Sequence, residues 1–206
     1  MKNTPAPQVI ESLKAGNQRF LNGESVQCPR LSLDKLKDFA ARGQSPQAIV
    51  LCCSDSRAPV EMIFDQDIGD LFVIRVAGNV VAPSLVGSVE FATTLFGISL
   101  VLVMGHSGCG AVRTTMEYIE NPQALASENI HDIVGRIKPQ VFPIAQRTDL
   151  SPEEKLDRAV EANVMASVGQ LSHASRLIEG LVQRGEMTIM GAVLALETGA
   201  VRFLEG

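Results

Sequence analysis

The sequence predicts an α/β fold in which helices cover both faces of a mostly parallel central sheet, preceded by an N-terminal helical arm. Three short apolar runs, residues 48–52, 71–77 and 98–104, alternate with segments of helical spacing. Uninterrupted apolar strands separated by helices are typical of a parallel sheet that is buried on both faces. The pattern therefore favours a doubly wound α/β arrangement.

We expect one domain over residues 1–206, made of the arm at 1–43 and an α/β core at 44–206, because no linker, repeat or shift of composition divides the chain. Apolar side chains recur at helical spacing over the first twenty residues, with Pro7 near the start of the helix. A second, shorter helix follows and ends at Gly43. The amphipathic first helix predicts an arm that packs against a partner.

The first half of the core is predicted to alternate strands and helices, with glycine and proline at the boundaries. Gly78 follows the second strand, and Gly97 stops the helix after it. The expected elements are a strand at 48–52, a helical turn opening at Pro59, a strand at 71–77, a helix over Pro83–Phe96, a strand at 98–104 and a helix reaching Glu120.

The second half of the core is predicted to be largely helical before a last strand. The segment 130–146 has helical spacing, but Pro139 and Pro143 predict a kinked or irregular path. Ser151 and Glu154 form the pattern of a capping box, which opens a long helix. The remaining expected elements are a break of this helix near Ser172, its end at Gly185, a strand at 187–196 and an extension at 200–204.

Composition excludes several classes of partner. The formal net charge is -5 and the sequence contains no lysine- or arginine-rich run, so neither nucleic acid nor an anionic membrane surface is expected to bind. No apolar stretch approaches the roughly 18 residues that a membrane span requires. Four cysteines and three histidines are too few for a disulfide scaffold of this length. They predict a reduced compartment, hence a cytoplasmic location, and one metal or thiol site.

The candidate metal ligands follow the ends of two predicted strands. Cys53 comes directly after the first strand, and His106 and Cys109 come directly after the third. Ligands of open α/β sheets bind beyond the carboxyl ends of the strands, where these side chains can converge. Two thiolates and an imidazole suit Zn²⁺, and three protein ligands leave a position for water, as in catalytic sites. Cys28 and Cys52 are the alternative fourth ligands, and a buried cysteine can also be simply a small apolar residue.

Asp55 and Arg57 stand two and four residues beyond Cys53. A carboxylate held by a bidentate guanidinium stays ionised and can only accept a hydrogen bond. Beside a metal, Asp55 would therefore orient a bound hydroxide toward substrate. The same two residues could instead be an ordinary loop cap and a solvated surface partner.

Other motifs give weaker interpretations. The turn at 105–110 has the order G-x-x-G-x-G, which differs from the dinucleotide-binding order. Cys52 followed by Arg57 is vaguely like an anion-cradling thiol loop, but that interpretation gives His106 and Cys109 no role. The acidic residues Asp65, Asp67 and Asp70 lack EF-hand spacing, and His131 and His173 are interpreted as ordinary helix-face residues.

Two motifs together resemble the β-class carbonic anhydrases: Cys53-Ser54-Asp55-Ser56-Arg57, and His106-Ser107-Gly108-Cys109-Gly110 about fifty residues later. The similarity continues through residues 68–79 and is strongest over 44–110. The resemblance implies an N-terminal arm that wraps a partner subunit, a mostly parallel sheet and a homodimer or higher homo-oligomer such as a tetramer. It also implies that Cys53, His106 and Cys109 bind one Zn²⁺ per subunit.

The same resemblance implies roles for further residues. Asp55 and Arg57 would form the catalytic pair, and Gln44 would be a substrate-positioning amide that reaches the neighbouring subunit's site. Phe72, Ala77 and Gly110 would line the pocket for carbon dioxide and bicarbonate. The expected reaction is the reversible hydration of carbon dioxide by zinc-bound hydroxide. Alternatives are hydrolysis of carbon disulfide or carbonyl sulfide at the same site, and a non-catalytic zinc-binding assembly subunit.

The sequence departs from some members of that class at a second, non-catalytic bicarbonate site. Those members carry a tryptophan where this chain has Val50, and a tyrosine-aspartate pair where it has Leu194 and Ala195. Arg75 matches the arginine of that site. We therefore expect the Trp-containing bicarbonate site to be absent.

Overall fold

A computed structural model describes residues 4–27, 32–122, 125 and 127–204 of the chain, so Cys28 lies outside the described residues. The helices in these ranges are α1 (Ala6–Leu21), α2 (Leu33–Arg42), α3 (Val60–Ile63), α4 (Pro83–Phe96), α5 (Gly110–Glu120), α6 (Glu128–Ala145), α7 (Pro152–Ser172) and α8 (Arg176–Gln183). The strands are β1 (Ala48–Cys52), β2 (Leu71–Arg75), β3 (Leu100–His106), β4 (Thr188–Leu194) and β5 (Val201–Leu204). None of these helices combines the length and the apolar character needed to cross a bilayer.

The strands form one sheet in the order β2-β1-β3-β4-β5. The first four strands are parallel, and β5 pairs antiparallel with β4. Every residue of the central strands β1 and β3 is buried, which explains their uninterrupted apolar sequences. The mostly parallel α/β fold predicted from the sequence is confirmed. Because β1 and β3 are neighbours, the residues at their carboxyl ends lie side by side.

Side chains of β1 alternate between two cores on opposite faces of the sheet. Val50 and Cys52 point to the face that α1 and α3 cover. Ile49 and Leu51 point to the other face, where residues of α4, α7 and α8 pack. The central strands are thus closed to solvent on both faces, and polar side chains gather at their carboxyl ends.

Helix α1 packs against the sheet of its own chain. Val9 and Leu13 are 2% and 1% exposed in the core on the β1 face. The amide of Asn17, also buried, donates to the carbonyl of Ile63 at 3.1 Å and to that of Gly199 at 2.9 Å. Part of the apolar stripe is therefore buried within the chain, whereas Leu21 at its end is 39% exposed.

Helix α2 has no buried residue. Its cap at Ser32 accepts a hydrogen bond from the N–H of Lys35, as Ser caps commonly do. Leu33 and Leu36 remain 67% and 50% exposed. The apolar side of α2 is therefore available to another chain.

The expected path of the segment 130–146 is kinked or irregular; helix α6 continues through Pro139 and Pro143, so the segment is not irregular. Each proline removes one backbone hydrogen bond, but Ile137 and Val141 are completely buried on the same helix. Packing of this face outweighs the two lost bonds. The capping box at the start of α7 is present as predicted, with Ser151 as its N-cap.

Candidate metal centre

Three buried side chains meet at the carboxyl edge of the sheet. Cys53 directly follows β1, His106 is the last residue of β3, and Cys109 is the N-cap of α5. Within the described part of the chain, their ligand atoms all lie within 4.8 Å of one another. The side chains are at most 6% exposed. Residues 53 positions apart are brought together because β1 and β3 are adjacent parallel strands.

The ring of His106 is oriented for a metal. Its Nδ1 lies 2.9 Å from the carbonyl oxygen of Ser107, so Nδ1–H donates to that carbonyl and Nε2 keeps a free lone pair. Nε2 is buried and has no hydrogen-bond partner among the residues that the structure describes. A buried nitrogen without a partner costs about 1–3 kcal/mol. A cation at this point removes that cost, and two sulfurs with one imidazole nitrogen suit Zn²⁺.

The two thiols differ in their acidity. A hydrogen bond from the Cys109 thiol, the nearby His106 ring and the N–H groups of Gly78 and Asp55 lower the pKa of Cys53 to about 4. The pKa of Cys109 is raised because its thiol donates to Cys53 and is itself buried. The hydrogen bonds therefore favour the thiolate of Cys53 over that of Cys109, and a bound cation favours ionisation of both sulfurs.

The peptide of Gly78 supports the Cys53 sulfur, and sequence reasoning gave it no such role. Its N–H lies 3.4 Å from the Cys53 Sγ atom. Its carbonyl accepts a 2.8 Å bond from the Asn163 amide, whose oxygen accepts a bond from Gln140. Gly78 has φ +71°, a conformation that favours glycine. The only signal in the sequence was the Gly78-Asn79 pair after a strand.

Asp55 and Arg57 form a bidentate pair at the mouth of the site. Arg57 Nε donates to Asp55 Oδ1 at 3.0 Å, and Arg57 Nη2 donates to Oδ2 at 2.7 Å. The Arg57 guanidinium beside Asp55 holds the pKa of that carboxyl well below its usual range. Asp55 Oδ2 is 3.7 Å from Nε2 of His106. A carboxylate that is ionised at neutral pH therefore faces the ligand cluster.

Arg75 braces the loop that carries Cys53 and Asp55. Its guanidinium donates to the carbonyl oxygens of Cys53 at 3.1 Å, of Asp55 at 2.5 Å and of Ala58 at 3.2 Å. The arginine that the resemblance linked to a second bicarbonate site thus holds the backbone of the metal centre.

The predicted pocket residues fall into two groups. Ala77 and Gly110 adjoin the cluster through their chain neighbours Gly78 and Cys109. Phe72 pairs with Ile49, near the amino end of the strands, which places it about 13 Å along the sheet from the level of Cys53.

Gln44 precedes β1 and is exposed near the amino edge of the sheet. The Phe72 ring packs against Phe96, with 6.3 Å between ring centroids. Neither Gln44 nor Phe72 therefore reaches the ligand cluster of its own chain.

The other candidate residues have structural partners. Cys52 points to the sheet face that α1 and α3 cover, away from the ligand cluster, and burial raises the pKa of its thiol to about 12. Asp65 pairs with Arg19, Asp67 pairs with Lys35, and Asp70 accepts the backbone N–H of Asp67 at 2.9 Å. The remaining histidines lie elsewhere: His131 packs edge-on against Tyr118, and His173 bonds Glu179.

Comparisons with known proteins agree with this geometry. Residues 48–201 match the sequence family described as carbonic anhydrase. Carbonic anhydrase 2 of Mycobacterium tuberculosis is 36% identical over 97% of this chain and 93% of its own length.

Two solved structures are similar in fold. The β-carbonic anhydrase CcaA has a TM-score of 0.74 at 24% identity, covering 97% of this chain and 95% of that one. One of two tetrameric β-carbonic anhydrases from Sordaria macrospora has a TM-score of 0.73 at 20% identity, covering 97% and 98%. At these identities, the structural matches establish a shared fold.

Proposed function

The chain belongs to the β class of the carbonic anhydrase family, and from this membership we propose that Cys53, His106 and Cys109 hold one Zn²⁺ per subunit. The enzyme activity is the reversible hydration of carbon dioxide to bicarbonate and a proton. Hydrolysis of sulfur analogues and a purely structural zinc site are not favoured by the relatives.

The observation that carries the metal assignment is the convergence of three donor atoms around an imidazole nitrogen without a partner. The donors lie within 4.8 Å of one another, and Nε2 of His106 is buried and unpaired among the described residues. Zn²⁺ held here would supply Lewis-acid activation of water at neutral pH. The protein contributes a preformed set of buried ligands.

Asp55 orients the reacting water. Its carboxylate is fixed by the Arg57 side chain and by the Arg57 backbone N–H, which donates to Oδ1 at 2.9 Å. Because the Asp55 carboxylate stays ionised, it accepts a hydrogen bond from one O–H of the water and cannot donate a hydrogen bond to the water. This directs the lone pair of the water oxygen toward carbon dioxide.

Residues from two subunits complete the pocket. Ala77 and Gly110 line the side of the pocket next to the ligands. Gln44 and Phe72 lie too far along the sheet to serve their own site, which supports a contribution to the site of a neighbouring subunit. The functional unit is then a homodimer or a higher homo-oligomer, and the exposed face of α2 is available for that contact. A cytoplasmic location remains a prediction from the cysteine content.

Metal analysis combined with stopped-flow carbon dioxide hydration tests this function. We expect one zinc ion per chain, loss of activity when a strong chelator removes it, and recovery when Zn²⁺ is added back. Turnover of carbon dioxide should exceed turnover of carbonyl sulfide and carbon disulfide. Full activity in metal-free protein would contradict the proposal, and a zinc-loaded protein with no turnover would favour the assembly alternative.

A further inference from the structure

Ser107 lies between two of the proposed metal ligands, and all of its polar groups are engaged. Its N–H donates to the carbonyl of Leu194 at 2.8 Å, and its own carbonyl accepts Nδ1–H of His106 at 2.9 Å. Its Oγ accepts the N–H of Leu196 at 2.9 Å and donates to Oε2 of Glu197 at 2.9 Å. The serine therefore joins the ring of His106 to the turn that follows β4.

The turn that follows β4 is held in place by hydrogen bonds at both of its ends. The N–H of Gly199 donates to the carbonyl of Ala195 at 2.7 Å, and the N–H of Ala195 donates to the carbonyl of Ala200 at 2.9 Å. The buried side chain of Asn17 in α1 binds the far end of the turn, donating to the carbonyl of Gly199 at 2.9 Å and accepting the N–H of Val201 at 3.0 Å. Glu197, although exposed, is thus presented by a backbone that is hydrogen-bonded on both sides.

We infer that Ser107 and Glu197 are positioning residues of the metal centre, which hold the 107 carbonyl where it accepts Nδ1–H of His106 and so keep Nε2 directed at the ligand cluster. The inference rests on the proposed zinc function. Neither side chain is a metal ligand: the hydroxyl of Ser107 acts through its own peptide, and Glu197 acts through that hydroxyl.

The physical reason is the choice of imidazole tautomer. A neutral histidine binds a metal through the nitrogen that carries no proton, and the hydrogen bond of the other nitrogen selects which one that is. Without the two bonds at the Ser107 hydroxyl, the 107 peptide loses its attachment to Leu196 and Glu197. Groups that orient a ligating histidine commonly change metal affinity roughly 10- to 100-fold when they are removed.

Glu197 could act through its negative charge or through its hydrogen bond to the Ser107 hydroxyl, and the hydrogen bond is the role assigned here. Its own backbone N–H, the Ser107 hydroxyl and the charge of Arg57 lower its pKa, so the carboxylate is ionised and lies within electrostatic range of the Asp55–Arg57 pair. As a positioning residue it needs only an oxygen that accepts the Ser107 hydroxyl. Glu197→Gln keeps such an oxygen and removes the charge, whereas Glu197→Ala removes both.

Competition of the metal-free protein with a chromophoric chelator for Zn²⁺ measures the effect without using activity. Because Ser107→Ala keeps the 107 carbonyl itself, we expect it to bind Zn²⁺ roughly 10-fold more weakly than the wild type, at the lower end of such effects, and Ser107→Thr, which keeps the hydroxyl, to recover most of the affinity. Glu197→Ala should weaken binding less than Ser107→Ala does, and Glu197→Gln should resemble the wild type. The double variant Ser107→Ala/Glu197→Ala should bind no more weakly than Ser107→Ala alone.

Ser175→Ala is the matched control, because it removes a serine hydroxyl that caps α8 through a 3.3 Å bond to the N–H of Ile178. It should leave the zinc affinity unchanged. Visible absorption of the Co²⁺-substituted proteins provides a second readout, and we expect altered ligand-field bands in Ser107→Ala only. If Ser107→Ala does not fold, the zinc affinities of Glu197→Ala and Glu197→Gln, both at an exposed position, still test the hydrogen-bonding role of Glu197.

Wild-type affinity in a folded Ser107→Ala protein would overturn the inference and leave the zinc function standing. Additive losses in the double variant, or equal losses in Glu197→Ala and Glu197→Gln, would show that Glu197 acts by its charge and would overturn its assigned role. A wild-type protein that fails to bind Zn²⁺ would overturn the proposed function itself. The three failures are therefore distinguishable.

Discussion

The backbone N–H of Gly78 points at the sulfur of Cys53, 3.4 Å away, and a side chain at position 78 would occupy space that Ile137 already fills. The loop after β2 is therefore part of the metal centre, although it supplies no ligand. Its exact path determines how strongly the Cys53 thiolate is stabilised.

Replacing Gly78 with alanine should destabilise the protein and weaken zinc binding. The new Cβ would lie 2.7 Å from Cδ1 of Ile137 and 3.0 Å from Cβ of Ala111, at φ +71°. Strain at positive φ costs about 1–2 kcal/mol and overpacking about 1–3 kcal/mol. We expect urea unfolding to show a loss of about 2–5 kcal/mol.

The control for this substitution is Gly185→Ala, since Gly185 has φ +69° and open space around its would-be Cβ. It should lose only the conformational part, about 1–2 kcal/mol, and keep its zinc affinity. Equal losses in the two variants would contradict the contact with Ile137 as the cause.

Removing the carboxylate of Asp55 should impair turnover without releasing the metal. The carboxylate is not one of the three convergent donors, but it faces them at 3.7 Å from Nε2 of His106. Loss of an orienting group commonly costs about 100-fold in rate. We expect Asp55→Ala to lower kcat/KM for carbon dioxide by about that factor in stopped-flow assays, at unchanged zinc content.

A surface pair of the same type provides the control. Arg147 and Asp149 are also two residues apart and are joined by two hydrogen bonds, of 2.6 and 2.5 Å, far from the ligands in sequence. Asp149→Ala should leave kcat/KM unchanged. If Asp55→Ala were as active as Asp149→Ala, the orienting role of Asp55 would be wrong.

Mixing two inactive variants should restore activity if Gln44 serves the neighbouring site. A dimer of one Asp55→Ala chain and one Gln44→Ala chain has one site with an intact Asp55 and the partner's intact Gln44. Random mixing should therefore recover up to about a quarter of wild-type activity in a dimer. Stopped-flow assays after subunit exchange measure this. No recovery despite verified exchange would assign Gln44 to its own site, and a Gln44→Ala protein that is fully active by itself would remove its role in the site.

Acid should selectively weaken the attachment of α1. Asp65 is completely buried as a side chain and pairs with Arg19 at 2.5 Å. Burial alone would raise its pKa, but Arg19 and the N–H groups of Gln27 and Val26 outweigh burial and lower it. A carboxyl whose pKa is lower in the folded protein contributes stability above its unfolded pKa, near 3.9, and loses it as the pH falls through the folded value.

We therefore expect Asp65→Asn to be less stable than the wild type by about 2 kcal/mol at pH 7, with the difference shrinking below about pH 4. Urea unfolding at a series of pH values measures this. Asp132→Asn, which breaks an exposed pair with Arg136, should show a smaller difference. A gap between Asp65→Asn and wild type that is constant with pH would rule out the ion pair as its source.

Bicarbonate should inhibit without positive cooperativity. The Arg75 guanidinium is already bonded to three carbonyl oxygens, and Val50 is completely buried in β1. Inhibition curves of carbon dioxide hydration against bicarbonate should be hyperbolic. Strongly sigmoidal curves would indicate that the second bicarbonate site exists after all.

The elements that could be predicted are those whose bounds are marked by local sequence patterns. The bounds of β1 and α4 agree with the expectation, because an uninterrupted apolar run defines the first and Pro83 with Gly97 defines the second. Sequence-based predictions were less successful where contacts between residues far apart in the chain determine the structure. The prolines of α6 predicted a kinked or irregular path, but packing of its buried face keeps these residues helical.

The sequence by itself determined the three candidate ligands and the Asp55–Arg57 pair, because donor type and position at a strand end are local properties. Only the tertiary structure decided what supports them: the Gly78 amide on Cys53, the Ser107 bridge to Glu197, and the distance of Gln44 and Phe72 from the ligands of their own chain. These depend on strand order, register and side-chain packing across the sheet. Such contacts join residues far apart in the chain, and no short spacing in the sequence encodes them.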